Sequence, residues 1–120
     1  MSSPDQFSKP EEYQAFSVGQ TIFRKGDVGD SLYIVAEGQV NIVMGEQILE
    51  TVEAGGMLGE IALIDDKPRS ADAVARTDCL LTQVSRQHFL ALIQHTPLFA
   101  LQVMRVMADR LRRSNIRRPD

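Results

Sequence analysis

The chain has 120 residues, a length that fits one domain with a single core. Hydrophobic residues make up 43% and charged residues 24%, which is the balance of a globular domain and excludes a disordered one. The net charge is −3, and the single cysteine, Cys79, excludes an internal disulfide, so we expect a reduced, cytoplasmic protein. No apolar stretch is long enough to span a membrane and no secretory signal is apparent, so we expect no membrane partner.

Short apolar segments separated by turns follow a loose N-terminal lead-in segment. The lead-in is predicted over residues 1–12, which Pro4 and Pro10 interrupt. From Tyr13 onwards the spacing of apolar segments and turns is typical of an all-β sandwich or jelly roll. We predict strands at residues 21–24, 31–35, 40–44, 47–52, 69–75 and 79–84.

Glycines mark two of the predicted turns. Gly26 and Gly29 are available for a positive φ in the turn at residues 25–30. Gly45-Glu46 is predicted to form a tight hairpin turn. Both turns therefore support a chain of short antiparallel strands.

The apolar period changes to a helical one at Ser85. Ser85 suits an N-cap, and Thr96-Pro97 suits the start of a second helix that runs to about Arg113. The apolar stripe of this second helix comprises Leu101, Met104, Met107, Ala108 and Leu111. This stripe packs either on the chain's own β-roll or on a second copy of the chain. We therefore predict a mainly β fold, a double-stranded β-helix or jelly roll (β-roll) followed by two C-terminal α-helices, with residues 13–120 as one domain.

A glycine-rich turn carries an acid and a base that suit one ligand. Gly55, Gly56 and Gly59 let the backbone approach a ligand closely, and the short apolar segment that follows suits one helical turn with N–H groups free for an anion. Arg69 offers a planar, permanently charged fork to phosphate oxygens, and Glu60 suits a sugar hydroxyl. The alternative is that Glu60 and Arg69 form an ion pair that fixes the turn.

Two segments of the sequence resemble the cyclic-nucleotide-binding domain family, which includes the catabolite activator protein and the regulatory subunits of cyclic-nucleotide-dependent kinases. The segment Gly59-Glu60-Ile61-Ala62-Leu63, followed by Pro68-Arg69-Ser70-Ala71, is similar to the family's phosphate-binding cassette. Residues 26–38 are similar to its opening hairpin, and the likeness extends from about Phe16 to Ser114. The resemblance implies a regulatory sensor module that binds cAMP or cGMP, uses no metal and acts through movement of its C-terminal helix.

The resemblance also implies a role for individual residues. Glu60 accepts a hydrogen bond from the ribose 2′-hydroxyl, Arg69 pairs with the cyclic phosphate, and Ser70 contributes a hydroxyl to the phosphate or the base. Backbone N–H groups around Ala62 and Ala71 complete the phosphate cradle. The expected binding set is Leu58, Gly59, Glu60, Ile61, Ala62, Arg69, Ser70 and Ala71.

Several further positions align less specifically with the family. Positions that are either pocket lining or plain core are Ile42, Leu49, Val52 and Leu58. Positions that fall where the family's last helix covers the base are Arg110, Ser114 and Asn115. Asp72 places an acid just past the cassette arginine, where it would weaken phosphate binding if it pointed inward. It is expected to face solvent. The triplet Arg69-Ser70-Ala71 resembles that of the catabolite activator protein, which favours cAMP over cGMP.

Other function classes have weaker support. A cupin-type enzyme needs clustered metal ligands, whereas the two histidines, His88 and His95, lie in the helical region after the β-roll, so we expect no enzyme. The C-terminal arginines are interpreted as helix-end cations rather than a nucleic-acid contact. The alternatives are the sensor half of a transcription regulator without its DNA-binding domain, and a degenerate, non-binding interaction domain. Expected partners are a cyclic nucleotide and either a second copy, through the C-terminal helix, or an effector protein.

Overall fold

The structure is a computed structural model that describes residues 13–117, with the backbone alone described for residues 114–117. The predicted lead-in segment at residues 1–12 and the side chains of Ser114 and Asn115 lie outside the described residues. The domain boundary predicted at residue 13 stays a prediction.

The described part of the chain folds into two antiparallel four-stranded sheets followed by two longer helices. The strands are β1 (Tyr13–Phe16), β2 (Thr21–Phe23), β3 (Ser31–Glu37), β4 (Val40–Met44), β5 (Gln47–Val52), β6 (Met57–Leu58), β7 (Asp72–Ala75) and β8 (Cys79–Ser85). The helices are α1 (Glu60–Asp65), α2 (Arg86–His95) and α3 (Pro97–Arg117). The sheet orders are β1-β8-β3-β6 and β2-β7-β4-β5. The predicted mainly β roll with two C-terminal helices is confirmed.

Strand β7 begins later than the sequence predicts. It was predicted from Arg69, but the regular strand starts at Asp72. The reason lies in the backbone of Arg69, whose N–H donates to the carbonyl of Asp27 at 2.9 Å and whose carbonyl accepts from Gly26 at 2.9 Å. These bonds attach Arg69 to the turn at residues 24–27 instead of continuing the sheet.

The turn glycines play two different roles. Gly26 and Gly45 have positive φ angles of 92° and 62°, as the turn predictions require. Gly29 does not share this conformation, so that part of the prediction is wrong. A Cβ atom at Gly29 would lie 2.3 Å from the Cβ of Ala62, so this glycine is needed for close contact between the turn and α1.

Buried side chains form two clusters, one on each side of the first sheet. The cluster between the sheets includes Val35, Val40, Leu58, Ala73 and Leu81. The cluster under the helices includes Leu32, Ile34, Leu63, Phe89, Phe99 and Val103. The first sheet is therefore covered on both faces, by the second sheet and by the helices.

Only a small part of the apolar stripe of α3 packs on the roll, one of the two placements left open by the sequence. Phe99 and Val103 are buried, and Val106 packs against their cluster. Of the stripe, Met107 packs there too, but Met104 is 58% exposed and Leu111 is 64% exposed. Two adjacent apolar faces share the same helical period, so the spacing alone does not identify the buried one.

The predicted helix starts are confirmed by the caps. The Ser85 hydroxyl accepts from the backbone N–H of His88 at 3.1 Å, and Pro97 is the first residue of α3.

No single helix among the described residues is long and apolar enough to cross a membrane. The helices α2 and α3 pass that test only as a pair, with a bend of 115° between them.

The Cys79 thiol is expected to be unreactive in the folded protein. The residue is 5% exposed in the inter-sheet core, and burial, aided by the charge of Asp78, raises the pKa of its thiol. Alkylation by iodoacetamide at pH 8 should therefore be slow until denaturant unfolds the domain. Rapid alkylation of the native protein would contradict the buried placement.

Candidate functional site

A cavity of about 400 Å³ opens between the second sheet, α1 and α3. It is lined by the whole predicted binding set: Leu58, Gly59, Glu60, Ile61, Ala62, Arg69, Ser70 and Ala71. The rest of its wall is Phe23, Ile42, Gln47, Leu49, Glu50, Arg110 and Arg113. The structure therefore brings the predicted residues together around one space.

Three of the four predicted apolar lining residues line this cavity. They are Ile42, Leu49 and Leu58. Val52 instead lies in the inter-sheet core at 4% exposure, so its place in the lining is wrong and the plain-core alternative holds.

Gly59 joins β6 to the short helix α1. It is the N-cap residue with a φ of 83°, and no side chain caps the first turn. A Cβ atom at Gly59 would lie 2.6 Å from Nη1 of Arg69, so a glycine lets the backbone approach the arginine closely. The predicted helical turn is present as the six residues of α1.

Arg69 is a buried cation that bonds to backbone carbonyls. It is 5% exposed, its Nη1 donates to the Gly59 carbonyl at 2.8 Å, and its Nη2 donates to the Ser31 carbonyl at 2.7 Å. Its guanidinium also stacks over the ring of Phe23, 4.2 Å from the centroid. These contacts hold the guanidinium flat against the cavity wall.

No carboxylate among the described residues forms an ion pair with Arg69. No ion pair involves Arg69 within the part of the chain that the structure describes, and its buried Nε has no hydrogen-bond partner there. Burial lowers the pKa of Arg69, while electrostatic interactions with Tyr33 and Asp30 oppose that change. A buried cation with spare donors is costly unless an anion meets it.

Glu60 is bonded to Arg110 of α3 and not to Arg69. The Glu60 side chain is 1% exposed, and its Oε1 accepts a hydrogen bond from Nη1 of Arg110. The alternative that Glu60 and Arg69 pair with each other does not hold. The acid and the base lie on one cavity wall as separate groups.

Arg110 connects α3 to two acids and a backbone carbonyl. Its Nε donates to Glu50 Oε1 at 2.8 Å, and its Nη2 donates to Glu50 Oε2 at 3.2 Å and to the Met57 carbonyl at 2.7 Å. Burial works against its charged form, but the bond to Glu50 and the charge of Glu60 outweigh burial and raise the pKa of Arg110. Arg110 was predicted to lie near the ligand, whereas Glu50 was missed. The only signal for Glu50 in the sequence was a charged residue within a predicted strand.

Asp72 does not oppose an anion in the cavity. Its Oδ1 accepts from the backbone N–H of Lys25 at 2.7 Å, and the residue is not part of the lining. It is half-buried at the start of β7, on the strand face opposite the buried Ala73, which agrees with the prediction that it does not point into the cavity.

Arg86 connects α1 to the start of α2. Its Nη1 donates to the Leu63 carbonyl at 2.7 Å, and its Nη2 pairs with Asp66 at 3.2 Å. The C-terminal end of α1 is therefore attached to the first residue of α2 by one side chain.

His88 and His95 lie on α2, and the described residues contain no group of three or more histidine, cysteine and carboxylate side chains that could hold a metal ion.

The chain belongs to the cyclic nucleotide-binding domain family. The family model described as "Cyclic nucleotide-binding domain" matches residues 13–96. The chain is 39% identical over 103 residues to the cyclic AMP receptor protein of Thermus thermophilus, a match that covers 82% of this chain and 48% of that protein. It is 41% identical over 78 residues to a cAMP-dependent protein kinase regulatory subunit of Eremothecium gossypii, covering 65% and 17%.

Solved structures show the same fold. The crystal structure of the Thermus thermophilus catabolite activator protein matches with a TM-score of 0.78 and 34% identity, covering 94% of this chain and 60% of that one. The chain spans about half the length of the first of these curated relatives and less of the second. The family and the β-roll fold inferred from the sequence are thus confirmed, and the relatives are regulatory proteins.

Proposed function

We propose that this chain is a regulatory sensor module of the cytosol that binds a 3′,5′-cyclic nucleotide in the cavity beside α1, cAMP in preference to cGMP. Arg69 pairs with the cyclic phosphate, and Glu60 accepts from the ribose 2′-hydroxyl. Ser70 and the backbone N–H groups near Ala62 and Ala71 complete the phosphate contacts. The module is not an enzyme.

The observation that carries the proposal is the buried guanidinium of Arg69. It is 5% exposed, its Nε lacks a partner within the described residues, and it lines the cavity. A cyclic phosphate carries a single negative charge and supplies oxygens that accept from planar N–H donors. Its binding would offset the cost of keeping the arginine buried.

The preference for cAMP is supported by the cassette and by the named relatives. The triplet Arg69-Ser70-Ala71 resembles that of the catabolite activator protein, and two of the relatives are named for cyclic AMP. A relative named as a cGMP-dependent protein kinase is 40% identical over 68 residues, so cGMP is the comparison ligand.

The response is proposed to travel through α3. Arg110 extends from α3 to the cavity wall, so a ligand that rearranges its contacts changes how α3 sits on the roll. The exposed face with Leu101, Met104 and Leu111 is the proposed contact with a second copy or an effector. A DNA-binding domain outside this chain remains the alternative output.

Isothermal titration with cAMP and with cGMP tests the ligand. We expect saturable binding of both at one site per chain, with a lower dissociation constant for cAMP. A cAMP concentration of about 100 times that constant should stabilise the fold by about 2.7 kcal/mol. Absence of heat and of thermal stabilisation with both nucleotides would favour the degenerate, non-binding interaction domain.

The Glu60→Gln variant tests the ribose contact. The amide removes the charge that strengthens a hydrogen bond from the 2′-hydroxyl, so cAMP affinity should fall about tenfold. The affinity for 2′-deoxy-cAMP should change much less, because that ligand has no hydroxyl to donate. Titration calorimetry compares the two ligands, and equal losses for both would count against the ribose role.

A further inference from the structure

Glu50 forms salt bridges with two arginines of α3 at the edge of the cavity. Its carboxylate accepts from Arg110 through both oxygens, at 2.8 and 3.2 Å, and Arg113 pairs with the second oxygen at 3.5 Å. The Glu50 side chain is only 17% exposed. A bidentate, largely buried pair of this kind fixes the guanidinium in orientation as well as in place.

Arg110 carries this constraint from β5 to the cassette. The same guanidinium that Glu50 holds also donates to Glu60 Oε1, which lies at the start of α1. Its last contact is the Met57 carbonyl at 2.7 Å. One arginine of α3 thus links β5, β6 and α1.

Charge balance explains why Glu50 matters to this arrangement. Arg110 and Arg113 bring two positive charges to the wall, and Glu50 and Glu60 bring two negative ones. Without the Glu50 charge, Glu60 would be the one acid bonded to Arg110. The Nε and Nη2 atoms of Arg110 would lose the carboxylate to which they now donate. The guanidinium would then be held only by Glu60 and the Met57 carbonyl, which restrict its angle toward Glu60 less tightly.

We propose that Glu50 is a positioning residue of the nucleotide site, which holds Arg110 so that Arg110 orients the Glu60 carboxylate toward the ribose. The same clamp, defined as Glu50 with Arg110 and Arg113, docks α3 on the roll before any ligand arrives. The part that concerns ribose rests on the function proposed above. The docking part concerns the ligand-free protein alone.

The Glu50→Gln variant separates positioning from a merely structural role. It keeps the shape of the side chain and removes its charge. We expect the ratio of cAMP affinity to 2′-deoxy-cAMP affinity to fall about fivefold in calorimetric titrations, since an imperfectly held Glu60 loses part of a charge-assisted bond. A structural role would weaken both nucleotides by the same factor.

Glu53→Gln is the matched control. Glu53 follows β5 directly, is exposed, and accepts a hydrogen bond from Gln39 Nε2 at 3.0 Å. Among the described residues it forms no ion pair with Arg110 or Arg113. The Glu53→Gln substitution removes the same charge close to Glu50 but breaks no bond to Arg110. It should therefore leave the affinity ratio unchanged. A fall in the ratio as large as that of Glu50→Gln would point to a general effect of net charge and would overturn the proposal.

Hydrogen–deuterium exchange of the ligand-free protein tests the docking part. In Glu50→Gln, backbone amides at residues 105–113 should exchange about fivefold faster, while those of β3 and β8 stay unchanged. Arg113→Gln, at a side chain that is 46% exposed, should give a smaller change in the same direction and is the test variant should Glu50→Gln fail to fold.

The titrations and the exchange measurements together distinguish failure of the proposed function from failure of the positioning role of Glu50. If wild-type protein binds neither nucleotide, the function proposed above fails, and the exchange of residues 105–113 still decides whether the clamp docks α3. If wild-type protein binds cAMP but the clamp variants change neither the ratio nor the exchange, the positioning role of Glu50 fails alone.

Discussion

The Arg69→Ala variant is expected to raise the dissociation constant for cAMP by about a hundredfold or more. Truncating one partner of a buried, hydrogen-bonded charge pair costs about 2–5 kcal/mol. Arg69 is the cation that we assign to the cyclic phosphate, and it is 5% exposed. Calorimetric titration measures the affinity, and thermal unfolding of the ligand-free variant measures how much its bonds to Gly59 and Ser31 contribute to the fold.

Arg76→Ala is the control for this experiment. Arg76 directly follows β7, is exposed, and is not part of the cavity lining. Its loss removes the same formal charge without touching the cavity, so cAMP affinity should change less than about twofold. If Arg69→Ala folds and binds cAMP as tightly as this control does, the phosphate does not lie on Arg69.

The second large effect is on stability and concerns Phe99. Its ring is completely buried between the helices and the first sheet, and it meets Phe89 edge to face at a centroid distance of 5.9 Å. Phe99→Ala removes this ring and leaves a cavity, which should lower the free energy of unfolding by about 3–5 kcal/mol. Urea denaturation followed by circular dichroism measures the loss.

The neighbouring Leu98→Ala variant is the comparison. Leu98 lies one residue away on the same helix turn but is 39% exposed, so its truncation should lower the free energy of unfolding by less than about 1 kcal/mol. Equal losses for the two variants would mean that the first turn of α3 is not anchored through Phe99.

Much of the site was predictable because its parts are close together in the sequence. Gly59, Glu60 and Arg69 share a segment with a recognisable order of glycine, acid and arginine, and the structure places them on one cavity wall. The caps at Ser85 and Pro97 depend on local chemistry, so the starts of α2 and α3 were predictable as well. The end of α3 was not, because the helix continues to Arg117, past the predicted end at about Arg113.

The remaining features depend on contacts between distant residues. The bond between Glu60 and Arg110 joins positions 50 residues apart, and the clamp through Glu50 spans 60. Neither carries a local signal, because an isolated charged residue in a sequence is compatible with many partners. The buried face of α3 was missed for a related reason: an apolar period identifies a helix, and only tertiary packing decides which of two neighbouring faces is covered.

The contact of Arg86 has a mechanical consequence. Its bonds to the Leu63 carbonyl and to Asp66 join the end of α1 directly to the first residue of α2, although 20 positions of the chain separate Asp66 from Arg86. A displacement of α1 relative to α2 would have to lengthen or break these two bonds of Arg86.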